Sequence, residues 1–338
     1  MRTQIIYNAL PDPAVTAAWE NYLSSHLRGN IFQSSGFYRL WYHTPYHAPL
    51  AIIAFDDSET VCGIMQGVII REPGVFMRHL TPRAIAWGGP LANDEAIALE
   101  LLARYEQILG RRVIYSQLRP VGEQHFPEVF SDCGFKSVPH LNIINDLRGG
   151  EEIMLSLIHK ERRRNIGRAR SKGVTVRLTD NEKEINGAVP LILDLYRRIG
   201  LPAPPEQMLT CGKQFLGEAL KVFIAEVGGK IAGARMVLCY RDMVYDWYAG
   251  SDPELQNKYV NDILPWEVMV WASRNGFHIF DFGGAGRPDE KYGVRDFKMR
   301  YGGRLIDRTR FISIHKPLLM FAGEQGLKGY RLLKKGHR

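Results

Sequence analysis

The residues with the clearest capacity for chemistry lie in the segment FDFGGAGRPDEKYGVRDFKMRYGG, residues 280–303. Its DFG matches the metal-binding tripeptide of protein kinases, but the glycine-rich loop, strand lysine and catalytic loop of a kinase are missing upstream. The GAG that follows lacks the third glycine and the helix of a dinucleotide fingerprint. We therefore interpret Asp281, Gly283 and Gly284 as a strand end and turn at the mouth of a groove.

A strongly basic helix is the second candidate. Seven bases and one acid fall within residues 160–172, in a helix predicted for residues 149–173. Arginine guanidinium groups bind phosphate oxygens in pairs, and a solvated helix face usually mixes charges of both signs. We predict that Arg162, Arg163 and Arg164 bind a phosphate; the alternative is a solvated basic face.

No metal site is predicted. His43 and His47 are four residues apart, but Pro45 between them is incompatible with a metal-binding helix face. The four cysteines are scattered, which favours a reducing compartment over a disulfide framework. The sequence shows neither a signal peptide nor a run of 18 apolar residues, so we expect a cytoplasmic protein.

The elements around these candidates alternate between strands and helices, which predicts an α/β protein with mixed sheets. Residues 93–110 have acids at the start, apolar residues at helical spacing and a final glycine, which predicts a helix; residues 261–276 predict another. Residues 221–250 predict three strands in a meander with a turn at Gly228-Gly229. The two parts of the chain have the same outline, so we predict a duplicated unit with a boundary near 146–151.

The charge differs between the two parts. Residues 1–150 contain 12 Lys and Arg against 14 Asp and Glu, a net charge of −2, whereas residues 151–338 contain 32 against 22, a net charge of +10. A basic half favours an anionic partner such as phosphate, nucleic acid or a membrane surface. A soluble basic surface without a partner is the alternative.

Several motifs, in this order, resemble the FemAB family, the peptidoglycan bridge-forming aminoacyltransferases. They cover nearly the whole chain: NIFQSSGFYRLW (30–41), AWGGPL (86–91), RRRNIGRARSKGV (162–174), YAGSD (248–252), the helix 261–276 with the DFGGAG after it, and DFKMRYGGRL (296–305). The resemblance implies two tandem GNAT-like acyltransferase domains, residues 1–148 and 149–315, of the compact type without a helical arm. It also implies that a C-terminal helix, residues 316–338, docks back on the first domain.

The resemblance implies transfer of an aminoacyl group, commonly from aminoacyl-tRNA, to an amine of a cell-wall precursor. The phenylalanine–lysine pair of the closing motif is Phe297 and Lys298 here, and it implies that Lys298 stabilises charge on the acyl donor. Amine attack on an acyl group passes through an oxyanion, which one fixed donor stabilises by about 3 kcal/mol. The alternatives for Lys298 are a surface position or a salt bridge to Asp296 or Glu290.

Two of three further assignments leave alternatives open. Asp281 is either a helper base or a residue that orients the loop. Tyr248 either binds the acceptor or is an ordinary aromatic of the sheet. Asn165, which follows the three arginines in the helix motif, is assigned with them to substrate binding.

The donor and acceptor are constrained by one departure from ordinary GNAT enzymes. Their acetyl-CoA pyrophosphate lies on a glycine-rich turn, whereas the matching connection here, SDPELQNKYVND (251–262), contains no glycine. This difference argues against a conventional CoA site, and we expect no cofactor. The resemblance implies an aminoacyl-tRNA donor, and we expect a phosphate-bearing acceptor, either nucleotide- or lipid-linked. The alternatives are N-acyl transfer from acyl-CoA or a carrier-protein thioester to a saccharide or small metabolite, and a degenerate GNAT-fold protein that binds nucleic acid or anionic lipid. Peripheral contact of the protein with the inner face of an anionic membrane is compatible with each of these three functions.

Overall fold

The computed structural model describes residues 1–74, 77–123, 126–323 and 325. Contacts within the chain divide it into two compact units, one of Met1–Val138 with the segment from Thr309, the other of Pro139–Arg308. Among the described residues, no helix has the length and apolar character needed to cross a membrane.

Unit 1 is the unit that begins at Met1. Its strands are β1 (Arg2–Tyr7), β2 (His47–Phe55), β3 (Val61–Ile70), β4 (Arg83–Trp87), β5 (Leu91–Ala92), β6 (Tyr115–Arg119), β7 (Lys136–Val138) and, late in the chain, β15 (Arg310–Ile314). Its helices are α1 (Pro13–Ser25), α2 (Ser35–Tyr42), α3 (Met77–Leu80), α4 (Glu95–Leu109) and α5 (Glu128–Asp132).

Unit 2 is the unit that begins at Pro139. Its strands are β8 (Leu141–Asp146), β9 (Thr175–Thr179), β10 (Leu220–Val227), β11 (Lys230–Tyr240), β12 (Met243–Ser251), β13 (Ile279–Gly284) and β14 (Arg304–Asp307). Its helices are α6 (Gly150–Leu157), α7 (Lys160–Ser171), α8 (Glu182–Ile199), α9 (Glu206–Thr210), α10 (Gly212–Leu216), α11 (Val260–Arg274) and α12 (Gly293–Met299).

The sheets of the two units share one strand pattern within the described residues. In unit 1 the order is β1-β2-β3-β4-β6-β15-β7, with β5 beside β3, and in unit 2 it is β9-β10-β11-β12-β13-β8-β14. Each order starts with an antiparallel meander, continues with one parallel pair (β4–β6 and β12–β13) and ends with two antiparallel pairs. The predicted duplication is therefore confirmed as two α/β units with mixed sheets.

The chain passes from one sheet to the other at two strands, β8 and β15. After β7 the chain enters the sheet of unit 2 as β8, which pairs with β13 and β14. After β14 the chain returns to unit 1 as β15, which pairs with β6 and β7. Because β8 belongs to the second sheet, unit 2 begins at Pro139, ten residues before the start at 149 expected from the sequence.

Helix α4 shows how a capping residue and the spacing of apolar residues determine a helix. The side chain of Asp94 accepts a hydrogen bond from the backbone N–H of Ile97 at 2.9 Å, and Gly110 follows the last residue. Leu101, Leu102 and Tyr105 are fully buried against β2 and β3. Capping and periodicity agree here, and the helix expected over 93–110 is confirmed.

The helix expected over 149–173 is two helices in the structure. The backbone between α6 and α7 is extended at Ile158 and His159, and Ile158 is buried in the core of unit 2. The N–H of His159 donates to the carbonyl of Arg300 at 3.0 Å. A tertiary contact thus replaces the helical hydrogen bond at this break, which a local pattern could not reveal.

The C-terminal helix expected over 316–338 falls mostly outside the described residues, because these end at 323 and 325. The strand β15 that precedes it belongs to unit 1. The docking of the rest on the first domain stays a prediction.

Candidate active site

The candidate site lies in unit 2, where β12 and β13 separate. These parallel strands share three register pairs, of which Tyr245–Asp281 is the last. The register of β12 against β11 shifts between Met236 and Val237, and that of β13 against β8 shifts between Asp281 and Gly284. Such bulges bend a strand and re-aim its side chains. We call the opening lined by residues 245–248 and 281–284 the strand fork.

Lys298 of α12 points its ammonium group into the strand fork. Its Nζ donates to the carbonyl oxygens of Phe282, at 2.6 Å, and Gly284, at 2.8 Å. An ammonium group has three donors, so these two bonds leave one N–H for another acceptor. Lys298 is thus neither a surface lysine nor a partner of Asp296 or Glu290.

Burial lowers the pKa of Lys298 to about 8, while Asp246 and Asp281 act to raise that pKa. The desolvation of the ammonium outweighs the two carboxylates. Lys298 is therefore largely a cation at neutral pH and loses its charge in the mildly alkaline range.

Asp281 is fully buried at the end of β13 and holds the turn that follows it. Its Oδ1 accepts the backbone N–H of Gly283 at 2.7 Å, and Asn142 Nδ2 lies 3.3 Å away. Gly283 has a φ of +70°, and a Cβ there would lie 3.1 Å from the hydroxyl of Tyr245. Burial raises the pKa of Asp281 to about 6. These contacts support the loop-orienting alternative for Asp281.

An ion pair between Arg235 of β11 and Asp246 of β12 also reaches the fork. Arg235 Nη1 donates to Asp246 Oδ2, and the two side chains are 6% and 11% exposed. This pair was not predicted from the sequence. A usable signal was present, because an arginine inside the apolar run IAGARMVLCY and an acid inside VYDWYAG are unusual in buried strands.

Phe297 and Arg162 form one stacked group with Tyr301. The Arg162 guanidinium lies 4.4 Å from the ring centroid of Phe297 and 4.8 Å from that of Tyr301. Arg162 is only 6% exposed and is ion-paired with Asp262 of α11. Arg162 therefore lies inside unit 2, where its side chain is committed to protein partners rather than to a phosphate in solution.

The remaining residues of the basic helix divide into paired and exposed groups. Asn165 donates to Asp262 at 3.1 Å, and Arg163 donates to the carbonyl of Ser156, at 3.2 Å, near the end of α6. Arg170 pairs with Glu267 at 2.8 Å. The acids that balance α7 are thus on α11, which explains why the helix looked unbalanced in sequence. Arg164 is exposed.

Tyr248 lies on the far side of the bulge in β12. Its ring meets that of Tyr196 of α8 edge-on, with centroids 5.7 Å apart, and that of Trp247 at 4.9 Å. Helix α8 crosses β12 so closely that a Cβ at Gly250 would lie 2.3 Å from the carbonyl oxygen of Leu191. This packing fixes the two tyrosines at the edge of the strand fork.

The glycines that close the DFKMRYGG motif permit close contacts below the site. Gly302 has a φ of +80°, and a Cβ there would lie 2.7 Å from that of Leu157. A Cβ at Gly303 would lie 2.6 Å from Asn145 Oδ1. Asn145 in turn donates to the carbonyl of Tyr301 at 2.8 Å, so the motif packs α12 and its loop onto β8.

Unit 1 has a parallel strand pair at the same place in its sheet, and this pair remains closed. β4 and β6 stay in register over five pairs, from Arg83–Tyr115 to Trp87–Arg119. The ring of Trp87 stacks on Phe32 and Trp41, each with centroids 5.7 Å apart. Of these two parallel strand pairs, the one that separates is therefore β12–β13 of unit 2.

Comparison with known proteins agrees with this architecture. Residues 159–299 match the family model described as Acetyltransferase (GNAT) domain. FemX is similar in structure, with a TM-score of 0.70 and 14% identity, over 95% of this chain and 99% of FemX. The chain shares the fold of FemX. The predicted resemblance and the predicted fold class are thereby confirmed at the level of the fold, and residues 159–299 form a GNAT-type acyltransferase domain.

Two further structures share this tandem GNAT fold. One is a tandem GNAT protein from the clavulanic acid biosynthesis pathway, with a TM-score of 0.59 and 12% identity over 93% of this chain and 99% of the other. The second is a C-terminal domain assigned to lysylphosphatidylglycerol synthetase from Agrobacterium fabrum, with a TM-score of 0.57 and 14% identity over 93% and 96%. No curated protein matches the chain in sequence.

No group of three or more His, Cys, Asp or Glu in the described part of the chain is arranged to hold a metal ion. The groups that could carry chemistry at the strand fork are Lys298, Asp281, and the ion pair of Arg235 with Asp246.

Proposed function

We propose that this protein transfers an aminoacyl group, from aminoacyl-tRNA, to an amine of a peptidoglycan-type cell-envelope precursor. The observation that carries the proposal is the position of Lys298, whose ammonium is fixed by two carbonyls in the strand fork and retains one donor. In amine attack on an ester, negative charge develops on the carbonyl oxygen, and a preorganised cation in a desolvated site stabilises that charge. Lys298 supplies such a cation without reorganisation.

The connection between β12 and α11 supports aminoacyl-tRNA over acyl-CoA as the donor. Residues Pro253–Lys258 form a 3-10 helix, and Tyr259 takes a left-handed conformation before α11 begins. The first turn of α11 carries Asp262, whose carboxylate binds Arg162 and Asn165. A pyrophosphate needs glycine-rich backbone and free amide groups, and the connection 251–262 contains no glycine.

The acceptor is assigned from the aminoacyl chemistry and from the similar proteins. FemX and the domain assigned to lysylphosphatidylglycerol synthetase share the fold, which supports an envelope molecule with a nucleotide- or lipid-linked phosphate as the acceptor. The exposed base Arg164 and the partly engaged Arg163 remain proposed phosphate contacts, and Tyr248 a proposed contact of the acceptor.

The deciding experiment measures amide formation by the purified protein. Total tRNA charged with labelled amino acids, or acetyl-CoA, is supplied with UDP-linked and lipid-linked muramyl peptides, and products are identified by mass spectrometry. We expect a tRNA-dependent product and a loss of at least about 100-fold in rate for Lys298→Met, but not for Lys183→Met, which changes an exposed lysine of α8.

Two results separate the alternatives. Product formation from acetyl-CoA alone, with release of CoA, favours an enzyme that uses acyl-CoA as its donor, which is compatible with the match to a GNAT acetyltransferase domain. No product from any donor, with an unchanged pool of envelope precursors in cells lacking the gene, contradicts the proposal.

A further inference from the structure

The ion pair of Arg235 and Asp246 carries an inference that rests on the proposed function. Asp246 directly follows Tyr245, the last residue of β12 that pairs with β13. It is therefore the first residue of β12 inside the strand fork. Across the fork, Phe282 directly follows Asp281, and the carbonyl of Phe282 binds Lys298.

One oxygen of Asp246 is unused. Arg235 donates from Nη1 to Oδ2, whereas the buried Oδ1 has no hydrogen-bond partner among the described residues. The Nε of Arg235 likewise has none there. The pair therefore lacks the two-bond geometry that an arginine and a carboxylate favour. A buried carboxylate oxygen without a donor is unfavourable, so its retention suits a ligand that brings a donor.

The unpartnered oxygen specifies the kind of group that can bind it. Asp246 acts to raise the pKa of Lys298, Tyr301 and Tyr196, whereas Arg235 acts to lower the pKa of each. Arg235 and Lys298 offset the charges of Asp246 and Asp281, so the choice of ligand rests on the unpartnered oxygen itself. A carboxylate oxygen accepts hydrogen bonds, and it binds an N–H donor most strongly when that donor carries a positive charge.

We propose that Oδ1 of Asp246 binds a primary ammonium group of a substrate, next to the carbonyl group that Lys298 polarises. Asp246 and Lys298 then recognise opposite charges on the two sides of the strand fork. The ammonium group comes either from the α-amino group of the aminoacyl donor or from the amine of the acceptor. Both have the same chemistry, and the experiment distinguishes them.

The first step compares binding of probes with and without the charged amine. The acceptor arm uses a UDP-linked muramyl pentapeptide with a free lysine amine and the same compound with that amine acetylated. The donor arm uses alanyl-tRNA and N-acetylalanyl-tRNA. In one arm we expect acetylation to weaken binding to the wild-type protein about ten- to 100-fold, as for a hydrogen bond between charged groups.

The second step tests whether Asp246 is responsible. In Asp246→Asn the preference for the free amine should fall to within about threefold. The double variant Arg235→Gln with Asp246→Asn removes both charges of the pair, so it avoids a lone buried arginine and should show the same loss. Asp242→Asn is the matched control, because Asp242 lies at the turn before β12 with its side chain 55% exposed, and it should keep the preference.

The outcomes are distinct. An equal affinity of the wild-type protein for both members of each probe pair, or no binding of any probe, overturns the inference. So does a preference that persists in the double variant. If no aminoacyl-tRNA is consumed but the preference depends on Asp246, the proposed donor is wrong and the ammonium site stands. If transfer proceeds and Asp246→Asn keeps the full preference for the free amine, the proposed function stands and the ammonium site is rejected.

Discussion

Lys298 combines two roles in one side chain. Its bonds to the carbonyls of Phe282 and Gly284 hold α12 against the end of β13 and leave a third donor, which we propose to bind the acyl group. The same burial that makes the ammonium a strong electrostatic group also brings its pKa close to physiological pH. The charge that we propose for stabilising the transferred acyl group is therefore also one that changes close to physiological pH.

The rate of transfer should depend on that charge. Because the pKa of Lys298 is lowered to about 8, the cation is lost as the pH rises through this value, and we expect the rate to fall above about pH 8. Lys298→Arg keeps the charge at higher pH, so any residual activity should lose this alkaline limb. Single-turnover rates from pH 6 to 10 measure it. An alkaline limb that stays in the arginine variant would assign the titration to another group.

Asp281 should make stability depend on pH in a lower range. Its pKa is raised from 3.8 to about 6, so between these values the folded state binds more protons than the unfolded state, and stability falls as the pH rises. Asp281→Asn keeps an acceptor for Gly283 N–H and removes the charge. Relative to wild type, we expect the variant to gain about 2 kcal/mol between pH 4 and pH 7.5.

Urea unfolding at the two pH values measures this difference. Asp252→Asn, which changes an N-cap acid of the 3-10 helix, serves as the matched acid-to-amide control. A stability difference between wild type and Asp281→Asn that is the same at pH 4 and 7.5 would show that Asp281 is not desolvated.

At the scale of elements, the paired glycines of the closing motif allow α12 to pack. Gly302→Ala places a Cβ against Leu157 in a left-handed conformation, so we expect it to lower the free energy of unfolding by about 1–3 kcal/mol. Gly167→Ala is a matched control in α7, where no heavy atom lies within 4 Å of the added Cβ, and it should stabilise by about 0.5–1 kcal/mol. Thermal unfolding separates them; equal effects would contradict the packing.

The basic helix α7 is held to α11 by Arg162. Arg162→Met leaves Asp262 without its ion partner at 14% exposure, so we expect a loss of about 3 kcal/mol in unfolding free energy. Arg164→Met should change stability by less than about 0.5 kcal/mol, because Arg164 is exposed. Chemical denaturation measures both. A stable Arg162→Met protein with weakened phosphate binding would return Arg162 to the substrate site.

Much of the element order was predictable because local signals and tertiary packing agree. The meander expected over 221–250 corresponds to β10, β11 and β12, and the expected helix over 261–276 to α11. The start of α11 was not predictable: the helix begins at Val260, directly after Tyr259 in a left-handed conformation, and not at 261. The break between α6 and α7 also depends on a distant carbonyl, that of Arg300.

The candidate site was predictable only in part. The position of Lys298 followed from a motif resemblance, and its two carbonyl partners depend on the bulge in β13. The partner of Arg162 is 100 residues away in sequence, and that of Arg235 lies across a strand pair whose register shifts. Neither pairing can be read from spacing along the chain.

At the scale of the whole molecule, the returning strand β15 should be essential for unit 1. Ile312 pairs with Gln117 of β6 and Lys136 of β7, so Ile312→Pro removes ladder hydrogen bonds at the centre of this exchange. We expect hydrogen exchange to accelerate at residues 115–118, while residues 222–225 of β10 keep their protection. An equal loss in both strands, or none at 115–118, would contradict the separate sheets.

The exchanged strands also impose an order on synthesis. On the ribosome, unit 2 can complete its sheet as soon as β14 has emerged, because β8 precedes the rest of that unit. Unit 1 must wait for β15, so β6 retains an unpaired edge while nearly the entire remaining chain is translated. Unit 1 thus begins to emerge before unit 2 and completes its sheet after it. Termination between residues 119 and 310 would leave a fragment in which β6 has an edge open to aggregation.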